Sequence, residues 1–225
     1  MDDLRLRRTL VARGKETIAE ELKEAALDPR EDDVVFTLQE EPKGLGHAVL
    51  CARDYALDGP VAVILPDDLI LGAPCLGEMM AAYDGGHMVA TMTVDESEVS
   101  KYGILDTVSE AGNLTRASGM VEKPAAKDAP SRKAVIGRYI LAHDIFDTLA
   151  TQTPGAGGEI QLTDAIARDA VQRPITGFGF SGMRFDCGSK SGMLDATLHL
   201  ASQDPELTEV IASYALRPSQ NLTAA

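Results

Sequence analysis

An unbroken apolar run followed closely by two aspartates constrains this chain more than any other feature. Five apolar residues, 61–65, follow Pro60, and Asp67 and Asp68 come directly after Pro66. A short continuous run of this kind is typical of a strand buried on both faces of a parallel sheet. Carboxylates after such a strand lie at the sheet edge where open α/β folds bind ligands. The sequence therefore predicts an α/β domain with a polar site near residues 67–68.

The rest of the chain alternates between helical and extended patterns, which predicts a layered α/β domain. Predicted helices cover 2–27, 47–56, 76–84, 145–150, 162–170 and 192–202, and predicted strands cover 34–38, 61–65, 88–94, 134–141 and 175–180. A hairpin is expected around 102–115, turning at Gly112-Asn113, with the following strand ending at Glu122. We expect one domain over 1–225, with a polar tail from about residue 218.

Charge and cysteine content exclude several classes of partner. The chain has 21 basic and 35 acidic residues, a net charge of −14 that repels nucleic acid and anionic lipid surfaces. Small anionic substrates would then need a local cation or a metal ion. No apolar run approaches the ~18 residues of a membrane span. Cys51, Cys75 and Cys187 are widely spaced, which favours a reducing cytoplasmic compartment.

A glycine turn and a glutamine form the first candidate binding feature. Gly44-Leu45-Gly46 stands between a predicted strand and a predicted helix, where backbone N–H groups can approach an anion. Gln39 precedes it, and its side-chain amide offers a donor and an acceptor to one edge of a uracil ring. An ordinary strand-to-helix turn and a polar strand end remain the alternatives.

Two separated carboxylates form the second candidate feature. Mg²⁺ prefers one or two carboxylates together with phosphate oxygens and water. Asp67, after the apolar run, and Asp186, before Cys187-Gly188, suit this ligand set. A helix cap at Asp67 and a turn-forming role at Asp186 are the alternatives.

A charged pair at the end of a predicted strand is the third candidate feature. Lys123 can neutralise a phosphate, and Glu122 can accept hydrogen bonds from sugar hydroxyls. Pro124 then ends the strand. A surface ion pair in a turn is the alternative.

Taken in order, these motifs resemble those of the bacterial UTP–glucose-1-phosphate uridylyltransferase family, from about Leu10 to about Leu200. The segment 158–166, Gly-Glu-Ile-Gln-Leu-Thr-Asp-Ala-Ile, is the most specific. The matching segments are 44–48, 65–68, 102–103, 121–124, 135–139, 154–166 and 186–190.

The resemblance implies a Rossmann-like mixed sheet flanked by helices, the nucleotide-diphospho-sugar transferase fold. It implies Mg²⁺-dependent transfer of UMP from UTP to glucose 1-phosphate, giving UDP-glucose and pyrophosphate, by a protein expected to form homo-oligomers. By motif, uracil contacts are implied for Gln39 and Gly44, metal ligands for Asp67 and Asp186, glucose contacts for Gly103 and Glu122, and the sugar-phosphate cation for Lys123.

The resemblance also implies a part that these 225 residues do not contain. Family members begin with a strand and a Gly-x-Gly-Thr-Arg-like loop that holds the triphosphate, and no such loop precedes Gln39. We therefore expect an N-terminally incomplete domain with negligible activity by itself. A glucose-1-phosphate thymidylyltransferase and a non-catalytic UDP-sugar-binding or oligomerisation fragment are the alternatives.

Overall fold

The computed structural model describes residues 4–25 and 33–215, which fall into two compact units, 1–41 and 42–225. Each unit is described by itself below. That both belong to a single domain stays a prediction, and the predicted polar tail from residue 218 lies outside the described residues.

The described residues of the first unit, 4–25 and 33–41, contain two short helices. Helix α1 spans Leu4–Ala12 and helix α2 spans Glu16–Ala25, so the continuous helix predicted over 2–27 is wrong in its described part. Gly14 separates them because its φ of 68° is a left-handed conformation that glycine adopts without strain. Ala19 is the buried residue of α2.

The strand predicted at 34–38 is also wrong. Residues 34–39 have no regular secondary structure, although the segment is rich in β-branched and aromatic residues. A strand requires backbone pairing, and within the described residues this segment has no strand partner. Phe36 and Leu38 are consequently exposed, Leu38 to 83%.

The second unit carries eight strands and six α-helices in its described residues. The strands are β1 Val61–Ile64, β2 Asp68–Leu71, β3 His87–Thr93, β4 Gly103–Ala111, β5 Leu114–Glu122, β6 Lys133–Leu141, β7 Ile175–Gly179 and β8 Met183–Asp186. The helices are α3 Leu45–Leu50, α4 Cys75–Ala82, α5 Ile145–Ala150, α6 Leu162–Asp169, α7 Lys190–Ala201 and α8 Pro205–Ala215. The helix predicted over 47–56 is shorter, and 3-10 turns follow it at Arg53–Tyr55.

The predicted mixed sheet is present, and its six strands have the order β1-β6-β3-β7-β5-β4. Only β3 and β7 run parallel among these described pairs, and every other neighbouring pair is antiparallel. Strands β2 and β8 form a separate two-stranded sheet, with Asp68 opposite Asp186. This second pairing brings two distant acidic residues of the chain together.

Strand β1 differs from its prediction. The apolar run does form a strand, but β1 lies at the sheet margin and is antiparallel to β6, with Val63 opposite Tyr139. Its side chains alternate between half-buried and exposed, and Ile64 is 54% exposed. Burial on both faces was inferred from a continuous apolar run, yet burial depends on which elements cover the strand.

Helices cover both faces of the six-stranded sheet. On one face, α3, α5 and α6 pack their apolar side chains, among them Phe146 and Ile166, against the sheet. On the other face, Cys75 and Met79 of α4 pack against β3, β6 and β7. This packing confirms the layered α/β architecture, and Thr163 of α6 lies beside Gly103 at the start of β4.

The described helices were compared with the length and hydropathy that a bilayer span requires. None of them meets both requirements.

Candidate active site

A cavity of about 300 Å³ in the second unit gathers most of the predicted site residues. Asp67, Gly103, Glu122, Lys123 and Asp186 all line it. They come from four parts of the chain: the β1–β2 turn, the start of β4, the end of β5 and the end of β8. Sheet pairing therefore assembles in space what the sequence separates by more than a hundred residues.

The two predicted metal ligands face a common point. Asp67 and Asp186 are held together by a 2.7 Å hydrogen bond from the Cys187 N–H to the Asp67 carbonyl oxygen. A Cβ built at Gly188 would lie 2.8 Å from Asp67 Oδ2 and 3.2 Å from Asp186 Oδ1. Only glycine leaves this space open between the two carboxylates.

This arrangement fits a divalent cation. The described residues contain no cluster of three or more potential metal ligands, so the protein would supply two ligands here. Among these residues, no basic side chain forms an ion pair with Asp67, whereas Asp68 and Asp186 both pair with Arg184. Two carboxylates with the remaining positions open to water and phosphate oxygens match the preference of Mg²⁺. Asp67 and Asp186 are the residues that would hold it.

Asp68, the neighbour of Asp67, has a structural role. It is buried, its Oδ2 accepts a 2.5 Å hydrogen bond from the Gly137 N–H, and its Oδ1 accepts one of 2.5 Å from Arg184 Nε. Its carbonyl oxygen accepts a 2.6 Å bond from Arg138. A buried carboxylate must be paired in this way because loss of its hydration is costly. Asp68 therefore fixes the turn that presents Asp67.

The other side of the cavity is formed by the paired ends of β4 and β5. Gly103 lies opposite Glu122 in the antiparallel register. A Cβ at Gly103 would come within 3.1 Å of Thr163 Cγ2 and 3.3 Å of Glu122 Oε2. The absence of a side chain at Gly103 allows Glu122 and the first turn of α6 to approach each other at the cavity wall.

Lys123 has an uncommon backbone conformation. Its φ is 45°, and it is the one non-glycine residue with positive φ in the described ranges. Its N–H donates a 3.0 Å hydrogen bond to the carbonyl oxygen of Tyr102. The left-handed conformation costs about 1 kcal/mol or more outside glycine, and such outliers cluster at functional sites. Its Nζ lies 3.6 Å from Glu122 Oε1 and its side chain is 58% exposed, so it is accessible to an anion.

Burial and clustered carboxylates shift two titrating groups of the site. Burial, with the charges of Glu122, Asp68 and Asp67, raises the pKa of the Tyr139 hydroxyl far above its usual value. Burial, with the charge of Glu122, also raises the pKa of Asp164. The carboxylates of Asp67, Asp68 and Glu122 thus concentrate negative charge around Tyr139, and the closeness of Asp67 to Asp186 favours a cation between these two residues.

The two predicted uracil contacts have different surroundings. Gly44, with φ 97°, packs so closely on residues 159–160 that a Cβ would lie 2.8 Å from Glu159 Cβ. It does not line the cavity itself, but the adjacent Leu45 does. Gln39 is half-buried and belongs to the first unit. Their roles at a base stay predictions.

Sequence reasoning assigned no role to several cavity residues. They are Lys101, Tyr102, Tyr139, Gln161, Thr163 and Arg184. All of them except Lys101 fall inside or next to one of the family motifs. This position in a motif was the signal from which their place in the site could have been predicted. Their roles depend on contacts between distant elements, which motif reading does not provide.

Comparison with known proteins gives one consistent result. Residues 10–203 match the family model described as nucleotidyl transferase. A UTP–glucose-1-phosphate uridylyltransferase of Bacillus subtilis (strain 168) is 39% identical over 213 residues, which cover 93% of this chain and 72% of that protein.

Solved structures similar to this chain include proteins of the same kind as the relatives found by sequence. A UTP-bound UGPase from Acinetobacter baumannii has a TM-score of 0.82 and 32% identity, covering 96% of this chain and 76% of that one. A UDP-glucose pyrophosphorylase complexed with UDP-glucose has a TM-score of 0.71 and 40% identity, covering 73% of this chain and 65% of that one. The chain thus spans about two thirds to three quarters of these relatives.

Proposed function

Because the chain belongs to the nucleotidyl transferase family, we propose that its cavity serves the transfer of UMP from UTP to glucose 1-phosphate. The products are UDP-glucose and pyrophosphate. The observation that carries the proposal is the convergence of Asp67, Asp186, Glu122, Lys123 and Gly103 on one cavity. The names of the relatives, and the UTP and UDP-glucose that two related structures contain, support the choice of substrates.

In the proposed reaction, a phosphate oxygen of glucose 1-phosphate attacks the α-phosphorus of UTP and pyrophosphate leaves. The attacking phosphate is already ionised at neutral pH, so the protein has to align two anions and offset their charge. Glu122 and Gly103 would bind the glucose, with the Glu122 carboxylate accepting from sugar hydroxyls. Lys123 would donate to the sugar phosphate, and Gln39 and Gly44 would contact the uracil.

Asp67 and Asp186 are proposed to hold Mg²⁺. Members of this family generally depend on a divalent metal. When bound, Mg²⁺ would neutralise phosphate charge and act as a Lewis acid on the phosphoryl group. Three basic side chains line the cavity, Lys101, Lys123 and Arg184, and each already has a carboxylate partner. A bound metal would supply the further positive charge that two phosphate-bearing substrates need. The proposal includes a reducing cytoplasmic location, supported by the wide spacing of Cys51, Cys75 and Cys187 along the chain.

The test has a binding arm and a catalytic arm. Calorimetric titration of the 225-residue chain with UDP-glucose and dTDP-glucose, both with Mg²⁺, should show tighter binding of UDP-glucose. In a chain extended with the N-terminal segment of one of these relatives, pyrophosphate release from UTP should require glucose 1-phosphate. Preference for the thymidine nucleotides in either arm would favour a thymidylyltransferase instead. The absence of UDP-glucose binding would contradict the proposal.

A further inference from the structure

We propose that Arg184 is the positioning residue that sets the geometry of the Asp67–Asp186 pair and couples it to the Tyr102–Lys123 side of the cavity. The inference rests on the proposed function for its substrates. Arg184 would touch no reacting atom and would act through the residues it holds.

The guanidinium group of Arg184 is largely shielded from solvent and contacts two residues, Asp68 and Tyr102. Its side chain is only 10% exposed. Nε and Nη2 both approach Asp68 Oδ1, with Nε at 2.5 Å. Nη1 donates a 3.1 Å hydrogen bond to the Tyr102 hydroxyl, and the guanidinium carbon lies 5.4 Å from the centre of the Tyr102 ring. Several nitrogens in a rigid plane are needed to make these contacts together.

On the metal side, Arg184 fixes the turn that carries Asp67. Asp68 follows Asp67 directly, and its other carboxylate oxygen is held by the Gly137 N–H of β6. Asp68 and Asp186 are opposite each other in the β2–β8 pair. The Arg184–Asp68 contact therefore connects β8 and β2 to β6 and limits the movement of both candidate metal ligands.

The same contact holds the Arg184 guanidinium closer to Asp68 than to Asp186, its second ion-pair partner. Arg184 Nη2 lies 4.0 Å from Asp186 Oδ2, whereas Asp68 is much closer and takes up the positive charge. If Asp68 were neutral, Arg184 would be drawn towards Asp186 and would compete there with a divalent ion. Asp68 and Arg184 thus leave the carboxylates of Asp67 and Asp186 available.

On the sugar side, Tyr102 connects Arg184 to Lys123. The Tyr102 hydroxyl accepts from Arg184, and the Tyr102 carbonyl oxygen accepts from the Lys123 N–H at 3.0 Å. Tyr102 also precedes Gly103 at the start of β4. One residue consequently orients both the metal ligands and the segment that holds the proposed phosphate cation.

The first test measures metal binding without turnover. Mn²⁺ binding to the protein is followed by electron paramagnetic resonance in Arg184→Lys, which keeps the charge but loses the planar fork. We expect about tenfold or greater loss of Mn²⁺ affinity, the usual size when a group that orients a metal ligand is removed. Arg116→Lys is the matched control, because Arg116 pairs with Asp84 at the surface and should leave Mn²⁺ binding unchanged.

Two further variants keep the inference testable if Arg184→Lys folds poorly. Asp68→Asn, nearly isosteric, should also weaken Mn²⁺ binding because it releases Arg184 towards Asp186. Tyr102→Phe removes only the hydroxyl, so it should lower UDP-glucose affinity severalfold and leave Mn²⁺ affinity unchanged. A loss of UDP-glucose affinity without a loss of Mn²⁺ affinity is not expected if Tyr102 merely supports the fold.

The outcomes separate this inference from the proposed function. Parent-like Mn²⁺ binding in a folded Arg184→Lys or Asp68→Asn variant would overturn the role at the metal ligands, as would an equal loss in Arg116→Lys. Parent-like UDP-glucose binding in Tyr102→Phe would overturn the coupling to the sugar side. If the parent binds Mn²⁺ but not UDP-glucose, the proposed function fails, while the Mn²⁺ comparison still decides the positioning role.

Discussion

Neighbouring residues of the cavity have different surroundings, and these surroundings separate their roles. Asp68 is buried and paired with Arg184 and Gly137, whereas the carboxylate of Asp67 faces Gly188 with no cation beside it in the described residues. A buried and paired carboxylate stabilises structure, and an unpaired one beside a second carboxylate attracts a cation. A difference of one position in the sequence thus separates a structural aspartate from a candidate ligand.

At the residue scale, Asp67→Asn should abolish Mg²⁺-dependent turnover, measured in the chain extended with a relative's N-terminal segment, and leave the fold intact. The exchange is nearly isosteric but removes the charge of the ligand. Pyrophosphate release is measured against Mg²⁺ concentration, with the melting temperature as the check on folding. Asp58→Asn, at an exposed turn position, is the control and should behave like the parent. Unchanged turnover of Asp67→Asn at limiting Mg²⁺ would exclude Asp67 as a ligand.

Lys123→Gln should weaken the use of glucose 1-phosphate more than the use of UTP. Loss of a charged hydrogen bond to phosphate costs about 1.5 to 3 kcal/mol, or about tenfold to a hundredfold in affinity. Lys127→Gln, at an exposed position on the same connection, is the matched control. The Michaelis constants for both substrates are the measurement. Equal losses for the two substrates would show that Lys123 has another role.

At the element scale, the segment before α6 is closely joined to the turn before α3. The Gly46 N–H donates to the Ile160 carbonyl oxygen at 2.8 Å, and the Ile160 N–H donates to the Lys43 carbonyl oxygen at 2.7 Å. These bonds connect the two glycine-containing motifs that the sequence showed more than a hundred residues apart. They explain by packing why glycine occupies positions 44 and 46.

Gly46→Ala should therefore destabilise this junction. A Cβ at Gly46 would lie 2.7 Å from the Ile160 carbonyl oxygen and 2.8 Å from Leu149 Cδ2, so the backbone would have to shift. Overpacking of this kind costs about 1 to 3 kcal/mol in unfolding free energy. Urea unfolding of Gly46→Ala and of Gly119→Ala, which has open space around it, measures the difference. Equal stability of the two variants would show that the junction adapts.

Strand β3 begins with a buried histidine, His87, that links stability to pH. His87 is fully buried, its Nε2 lies 3.3 Å from Asp169 Oδ2, and Asp144 and Arg173 also act on it. Burial lowers the pKa of His87, although the charge of Asp169 opposes this. The unfolded chain therefore takes up a proton first as the pH falls below about 6.5.

It follows that the stability contributed by neutral His87 is present above pH ~6.5 and is lost as the pH falls towards the lowered pKa of the folded state. Urea unfolding at pH ~7.5 and pH ~5 should show a smaller difference in His87→Gln than in the parent, because glutamine does not titrate. An identical pH dependence in the two proteins would mean that other groups determine it.

At the scale of the whole molecule, the net charge of −14 opposes the approach of nucleotides. Attraction then comes only from local cations such as Lys123 and from a bound metal. Raising the ionic strength from about 0.02 M to about 0.2 M at fixed Mg²⁺ should screen the overall repulsion. We expect the association rate of UDP-glucose, measured by stopped flow, to rise or stay level. A steep fall of the association rate with ionic strength would show that attraction by local cations outweighs the overall electrostatic repulsion.

Local patterns in the sequence were sufficient for many elements of the second unit. The β4–β5 hairpin with its turn at Gly112-Asn113, strands β3, β6 and β7, and helices α4 to α6 all agree with the predictions. Periodicity and turn residues act over a few positions, so they can be read without knowledge of the fold. The family motifs likewise selected five residues that line one cavity.

Tertiary structure alone decided the features that depend on distant partners. The run at 61–65 is a half-exposed antiparallel strand because β6 is its neighbour, whereas residues 34–38 belong to neither sheet of the described residues. The different roles of Asp67 and Asp68, and the central position of Arg184, arise from the β2–β8 pairing and its contact with β6. The sequence determined which residues can bind a metal, a phosphate or a sugar. The packing determined which carboxylates are already neutralised by an arginine and which remain available to a ligand.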